Sequence, residues 1–333
     1  MTTFGVSVLG MEFPGLLLAI LGVAFGIGAL VTVLGKRSLY GGWPTAYWFL
    51  LPSLIGFVVF FLFPTIRGIY LSFTDWNLLA NEGEFIGTEN YAILWTDGDF
   101  WRAMRVTAWY VIINIGTQTL LAIIIAVMMD RLTKSATVRG ILLLPWLMPN
   151  VVVALLFVWL LDNNLGVANQ VLGWVGLGPW GFLTSINGVI PTIAAINTWK
   201  FMGYTALLIF AGLQTIPGNL YEAAALDGAT ELDMMRRITI PLMRPVLALV
   251  MVVTVVGSFQ VFDTVQVATG GFSGTPGGPV KASQVIYLYI YRNAFVFNDL
   301  GYAAALAAVL FVILMVVTAI QLRLLRAGES DLA

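Results

Sequence analysis

The sequence predicts an all-α, polytopic membrane protein, and three observations carry that prediction. Hydrophobic residues make up 59% of the 333-residue chain and charged residues only 10%, where a soluble domain carries roughly a quarter charged. Too few charges remain to cover a soluble surface. The apolar residues are gathered into long runs, which is the pattern of membrane spans. These runs do not alternate in polarity as barrel strands do. Only helices or closed barrels satisfy the backbone in hydrocarbon, so the spans are helices.

Seven spans are expected, at 13–34, 45–63, 108–129, 140–161, 189–213, 242–268 and 302–322. Each is close to the roughly 20 residues that cross a hydrocarbon core of about 30 Å. The first has no charge, no basic residue before it and no small-residue cleavage site before Lys36. It therefore reads as a retained helix rather than a signal peptide. The chain divides at that point into an N-terminal helix with its linker, 1–43, and a transmembrane domain, 44–333. In the fourth span Pro145 and Pro149 are helix breakers; both a simple kink and a bend that opens a cavity at mid-membrane are open for them.

Basic residues set the orientation, because cytoplasmic loops carry the excess. With the N-terminus outside, ten Lys and Arg residues fall on the cytoplasmic side, among them Arg131, Lys134, Arg139, Arg236, Arg237 and Arg323. Five fall outside: Arg67, Arg102, Arg105, Lys281 and Arg292. The C-terminus is then cytoplasmic. The external connections are 73–107, 162–188, where Gly and Trp suit a short interfacial helix, and 270–299, which opens with a Gly/Pro-rich turn.

Composition also excludes chemistry. The chain has no Cys and no His, which removes thiol nucleophiles, imidazole-held metals and the usual proton shuttle. No metal site and no cofactor is expected. The formal net charge is −1 and no basic tail exists, so nucleic acid is not a partner, whereas membrane lipid is. Neither a G-x-S-x-G elbow nor an H-E-x-x-H helix occurs, against an intramembrane enzyme.

The cytoplasmic connection 214–241 is the most informative stretch. Pro217-Gly218 stops the incoming span, Asn219 caps a new helix and Glu222 sits three residues on. Asp227-Gly228 is a turn pair with Gly free to take the left-handed conformation. Thr230 caps a second short helix, with Glu231 and Asp233 in its first turn and Arg236 and Arg237 in its last. Pro241 ends the unit.

Glu222-Ala223-Ala224, three residues, Gly228, nine residues, Ile238, one residue and Ile240-Pro241 resemble the EAA loop of binding-protein-dependent ABC permeases. Weaker matches follow in family order: Leu71-Ser72-Phe73-Thr74-Asp75, Asn90-Tyr91, Leu144-Pro145, Thr269-Gly270-Gly271 and Gly301-Tyr302-Ala303. The whole is similar to the maltose-type carbohydrate permeases, in particular the partner with an extra N-terminal helix. The resemblance implies a six-helix core plus that helix, and a second permease subunit, two ATPase subunits and an extracytoplasmic solute-binding protein as partners. It also makes 214–241 the ATPase-coupling loop, through Glu222, Ala223, Ala224, Asp227, Gly228, Ile238 and Pro241. The chain lacks a G-x-x-x-x-G-K-[ST] phosphate loop, so ATP and Mg belong to a partner and the chain is a transport subunit rather than an enzyme.

Polar groups in the spans are costly and mark function or pairing. Lys200 and Asp263 are the charges near mid-span. An ion-coupled secondary carrier is the alternative reading, and this supply of titratable groups is thin for one. Phe259-Gln260 and Phe262-Asp263 alternate aromatic and polar groups, as sugar sites do. The resemblance places sugar-like solute contacts at Trp146 and Asn150, at Trp199 and Tyr204, and at Phe259, Gln260 and Asp263. Lys200 has no charged counterpart in the maltose-type permeases, and both an ion pair with Asp263 and contact with solute are open for it.

A reporter fused after Ala333 is expected to read cytoplasmic and one inserted at Gly274 external; the opposite pair of readings would invert the topology.

Overall fold

The computed structural model describes residues 22, 24–29, 43–132, 135–273 and 276–324. Of the first expected span, Gly22 and residues 24–29 are described and are helical; the rest, like most of the N-terminal division, lies outside the described residues. Tyr47 donates its hydroxyl to the Ala24 carbonyl at 2.6 Å.

The helices come in the order α1 Trp43–Phe57, a π-helical turn Val58–Leu62, α2 Phe63–Leu71, α3 Glu89–Thr96, α4 Gly98–Leu132, α5 Ala136–Leu147, α6 Asn150–Leu160, α7 Val167–Trp174 and α8 Val189–Leu213. They continue with α9 Gly218–Leu226, α10 Glu231–Met234, a π-helical turn Met235–Thr239, α11 Ile240–Leu242, α12 Arg244–Phe259, α13 Asp263–Ser273, α14 Ile286–Phe295 and α15 Leu300–Leu324. Among the described residues the only β-type pairings are isolated bridges, as at Thr74 and Phe85. Among the described residues five stretches are long and apolar enough to cross a membrane: Ala46–Leu71, Gly98–Leu132, Val189–Leu213, Arg244–Gly270 and Leu300–Leu324. The pair α5 and α6 makes a sixth if counted as one span broken by 90°. The chain is thus an all-α, multi-pass membrane protein. A short helix expected in 162–188 is present as α7. The second and third spans extend beyond their expected limits.

Contacts divide the chain into two units. The first comprises 1–92 and 298–308. In it the loop after α2 is tied to the start of α3: the Asn90 amide donates to the carbonyls of Ser72 at 3.0 Å and Thr74 at 2.8 Å, and the Ser72 and Tyr91 hydroxyls lie 2.7 Å apart. Gly301 packs so closely against the Thr74 carbonyl that a Cβ would overlap it. The scattered residues Ser72, Thr74, Asn90, Tyr91 and Gly301 form one knot.

The second unit, 93–297 with 309–333, carries the site. Its central helix is α8, against which α4, α5, α12, α13 and α6 all pack. Helix α4 is built inside out. Its buried face carries Tyr110, Asn114 and Gln118, while Trp109, Ile112, Leu120 and Ile124 are exposed. Water would reverse this arrangement; lipid favours it, because apolar side chains lose nothing facing hydrocarbon and polar ones need partners. Outside the spans, α14 is pinned to the start of α4. Tyr289 donates to Asp97 at 2.6 Å, Lys281 pairs with Asp99 at 2.5 Å and the Ile286 amide donates to the Thr107 hydroxyl at 2.8 Å. Burial, with the Asp97 carboxylate beside it, pushes the Tyr289 hydroxyl well above the ordinary tyrosine range.

Helices α5 and α8 touch backbone to backbone at Gly203, where a Cβ would overlap the Leu142 carbonyl. Small residues allow such approach in membranes. Gly203→Ala is expected to cost about 1–3 kcal/mol through overpacking, whereas Gly116→Ala, with open space at its Cβ, is expected to be neutral. Thermal unfolding of the two purified variants in detergent checks the contrast.

Candidate solute cavity and coupling loop

The cavity forms where two helices are broken. Helix α5 ends at Leu147, Met148 is extended, and Pro149, with no amide hydrogen to give, precedes α6. The fourth span is therefore two helices at 90°, sharper than a kink; of its two prolines, Pro149 stands at the break and Pro145 lies within α5. The second break separates α12 from α13: Gln260 leaves the helix, and Asp263 starts the next one. The span expected at 242–268 is thus interrupted between Phe259 and Asp263. Gln260 and Asp263 both line the cavity, on either side of that interruption. Broken helices leave backbone groups without intrahelical partners, which is tolerated at membrane depth only along a polar or wet cavity.

A cavity of about 350 Å³ lies between the breaks. Trp146, Asn150, Tyr204, Gln260 and Asp263 line it; Trp199, Lys200 and Phe259 do not. The Trp146 and Tyr204 rings stack at 4.7 Å and 7°. Trp199 instead packs edge-on against Phe157 at 5.2 Å, and Phe259 is buried. Sequence reasoning missed the wall supplied by α4. Tyr110, Asn114 and Gln118 follow at a spacing of four and share one helical face. Two amides at that spacing inside an apolar run were the available signal.

These polar groups hold one another. The Asn114 amide donates to the Ser258 hydroxyl at 2.9 Å and to the Gln118 carbonyl oxygen at 3.2 Å, and Gln118 donates to the Thr205 hydroxyl at 2.8 Å. Lys200 and Asp263 make no direct ion pair. Lys200 donates to the Asn150 carbonyl oxygen, and the Asn150 amide donates to the Asp263 carboxylate at 2.9 Å. Asn150 thus bridges the two charges, with its amide orientation fixed by both.

In the loop, α9 begins at Gly218 with Pro217 before it. Asn219 is inside the helix and caps nothing. Gly228 takes φ +78°, as the turn requires. Thr230 and Asp233 form a reciprocal capping box, with the Asp233 amide donating to the Thr230 hydroxyl at 3.2 Å. That hydroxyl and the Thr230 amide hold the Asp233 carboxyl below the usual carboxylate range. Pro241 does not end the unit: it sits in the first turn of α11, where its missing N–H is harmless, and the helical path runs on towards α12. Glu222, Ala223, Asp227 and Gly228 are exposed and Ala224 is half-buried, while Ile238 packs inward on the buried core of α4 and α8. Leu226, not singled out from sequence, is 90% exposed at the tip of α9. Arg131 of α4 pairs with Glu231, and Gln214 donates to Asp130 at 2.5 Å.

A membrane-embedded polar cavity between broken helices, joined to a folded helical loop outside the bilayer, defines a solute-translocating subunit. The chain belongs to the binding-protein-dependent transport system inner membrane component family, whose sequence profile matches residues 118–327. It is similar to the sulfoquinovosyl glycerol transport system permease protein SmoG of Agrobacterium fabrum, 33% identical over 282 residues that cover 84% of this chain and 90% of the relative. It is also similar to the multiple sugar-binding transport system permease protein MsmF of Streptococcus mutans, 31% identical over 300 residues, 90% of this chain and 100% of the relative. A crystal structure of a bacterial ABC transporter that imports the acidic polysaccharide alginate contains a chain 26% identical with a TM-score of 0.74, matching over 86% of this chain and 96% of that one. The chain is accordingly a permease component of an ABC importer, in which ATP hydrolysis belongs to a separate subunit.

Removing one partner of a buried charged group leaves the other uncompensated. Asp263→Asn alone is expected to lower the yield of folded protein, and Lys200→Met in the same chain to restore part of it. Equal yields of wild type, single and double variants in membranes would show that the bridge carries no stability.

Proposed function

We propose that this chain moves a sugar or related polyhydroxylated solute from an extracytoplasmic binding protein through the cavity between α4, α8 and the two broken helices. The observation that carries this reading is the lining. Stacked Trp146 and Tyr204 offer an aromatic face, and Asn150, Gln260 and Asp263 offer planar groups that bond hydroxyls. The names of SmoG, MsmF and the alginate importer support a carbohydrate solute. Lys200 acts in this reading as a support for Asn150 rather than as a solute contact.

The assembly we infer pairs this chain with a second permease and two ATPase subunits that hold ATP and Mg, with the C-terminus cytoplasmic and the N-terminal segment 1–43 a peripheral helix. The loop through Glu222, Ala223, Ala224, Asp227 and Gly228 seats in the ATPase. Its small alanines allow close approach, Glu222 offers a charge to a basic partner, and exposed Leu226 offers apolar area.

Two sets of variants test this in proteoliposomes containing the whole importer. Glu222→Lys or Gly228→Pro is expected to leave insertion intact and to abolish binding-protein-stimulated ATPase activity together with uptake. Gln260→Ala is expected to lower uptake by about ten-fold, the loss of hydrogen bonds worth ~1–3 kcal/mol, while basal ATPase activity persists. Normal uptake in Gln260→Ala and in Asp263→Asn would take this face out of the solute path.

A further inference from the structure

A second cavity, of about 500 Å³, opens at the other exposed end of α4, between its first turns and the start of α8. Arg102 and Arg105 lie on its rim one turn apart, above Trp109, with Ile190 and Pro191 of α8 opposite. Neither guanidinium makes an ion pair among the described residues, and the carboxylates nearby are already taken. Asp99 pairs with Lys281 and Asp97 accepts from Tyr289. The opening turn of α8 adds the positive end of a long helix on the same side. Two cations with no acidic partner among the described residues, of which Arg105 also donates to the Trp101 carbonyl at 3.4 Å, stand beside a helix N-terminus and form a site for an anion.

Depth decides what kind of anion. The uninterrupted apolar part of α4 begins at Ala108, so Arg105 stands about 4–5 Å and Arg102 about 9 Å beyond the hydrocarbon edge at the ordinary helical rise. Arg105 is therefore in the headgroup layer, about 5–7 Å thick on each side of the core, and Arg102 stands about 2 Å outside it. Trp109 is exposed at the boundary itself, where indoles concentrate in membrane proteins. Below it the exposed stripe of α4 continues through Ile112, Leu120 and Ile124. Cation pair, boundary indole and apolar stripe run in one line, in the order of a lipid's phosphate, glycerol and acyl chains.

We propose that this cleft is a binding site for an anionic phospholipid, with the phosphate held by Arg102 and Arg105 and an acyl chain along the exposed face of α4. A soluble phosphate would use the cations and leave the stripe unused. The site is independent of the solute cavity, which lies on the opposite, buried face of the same helix.

Native mass spectrometry of the importer complex, purified from its membranes and offered phosphatidylglycerol or phosphatidylcholine with the same acyl chains, tests the proposal. The wild type is expected to retain phosphatidylglycerol in preference, and Arg102→Gln with Arg105→Gln to retain about ten-fold less of it or lower, with phosphatidylcholine unchanged. Arg323→Gln, at the far end of another span, is expected to change neither. Both arginines are exposed, and thermal unfolding of the double variant in detergent should match the wild type. Equal retention of the two lipids by the wild type overturns the proposal, as does phosphatidylglycerol held undiminished by the double variant. Displacement of the lipid by millimolar inorganic phosphate overturns it in favour of a soluble-anion site. Retained lipid with lost binding-protein-stimulated ATPase activity overturns it in favour of an acidic protein surface.

Discussion

A polar atom at membrane depth must find its partner inside the protein, and in this chain that requirement is concentrated on Asn114. Its amide ties α4 to α12 through Ser258, and its oxygen accepts from Thr198 of α8 at 3.4 Å. Gln118, one turn below, repeats the link to α8 through Thr205. In water such bonds compete with solvent and contribute modestly; in lipid the competitor is absent, although a chain not yet packed also finds partners. The network holds the three helices that carry most of the cavity wall. The breaks at Met148–Pro149 and at Gln260 depend on it, since irregular backbone survives at that depth only where surrounding protein satisfies it.

The same constraint explains the mid-membrane charges. Lys200 and Asp263 stand on different helices and meet only through Asn150. A direct pair would consume both charges in one contact and leave Asn150 free to flip. The bridge instead fixes which side of the amide faces the acid, and the carboxylate keeps capacity for a further donor. Burial of opposite charges is thus turned into the orientation of one neutral side chain on the cavity wall.

The large features were legible because hydrocarbon imposes simple rules. Run length gave the spans, proline gave the fourth-span break, and Gly228 and Thr230 gave the shape of the loop. Three kinds of feature were not legible. The break after Phe259 has no proline, and nothing in Ser258-Phe259-Gln260-Val261 forbids a helix, so that helix stops for tertiary reasons. The polar face of α4 was passed over because charge drew attention to Lys200, yet neutral amides supply most of the wall. The misread Pro241 is of a third kind: proline stops an incoming helix but is welcome in the first turn of one that starts there, and the letters do not distinguish the two. The first two failures share a cause, since there the partner of a residue lies far away in sequence.

That proline carries a mechanical consequence. Because α10, the π-helical turn Met235–Thr239, α11 and α12 follow one another with only Met243 between them, itself at αR angles, the backbone runs from Glu231 to Phe259 without an extended segment. Its outer end lies in the loop and its inner end at Gln260. A path without an extended segment passes a displacement at one end on to the other. A loop that ended at Pro241 with a flexible joint would lose such a displacement in the joint. Backbone continuity of this kind joins the loop outside the membrane directly to the wall of the cavity at its centre.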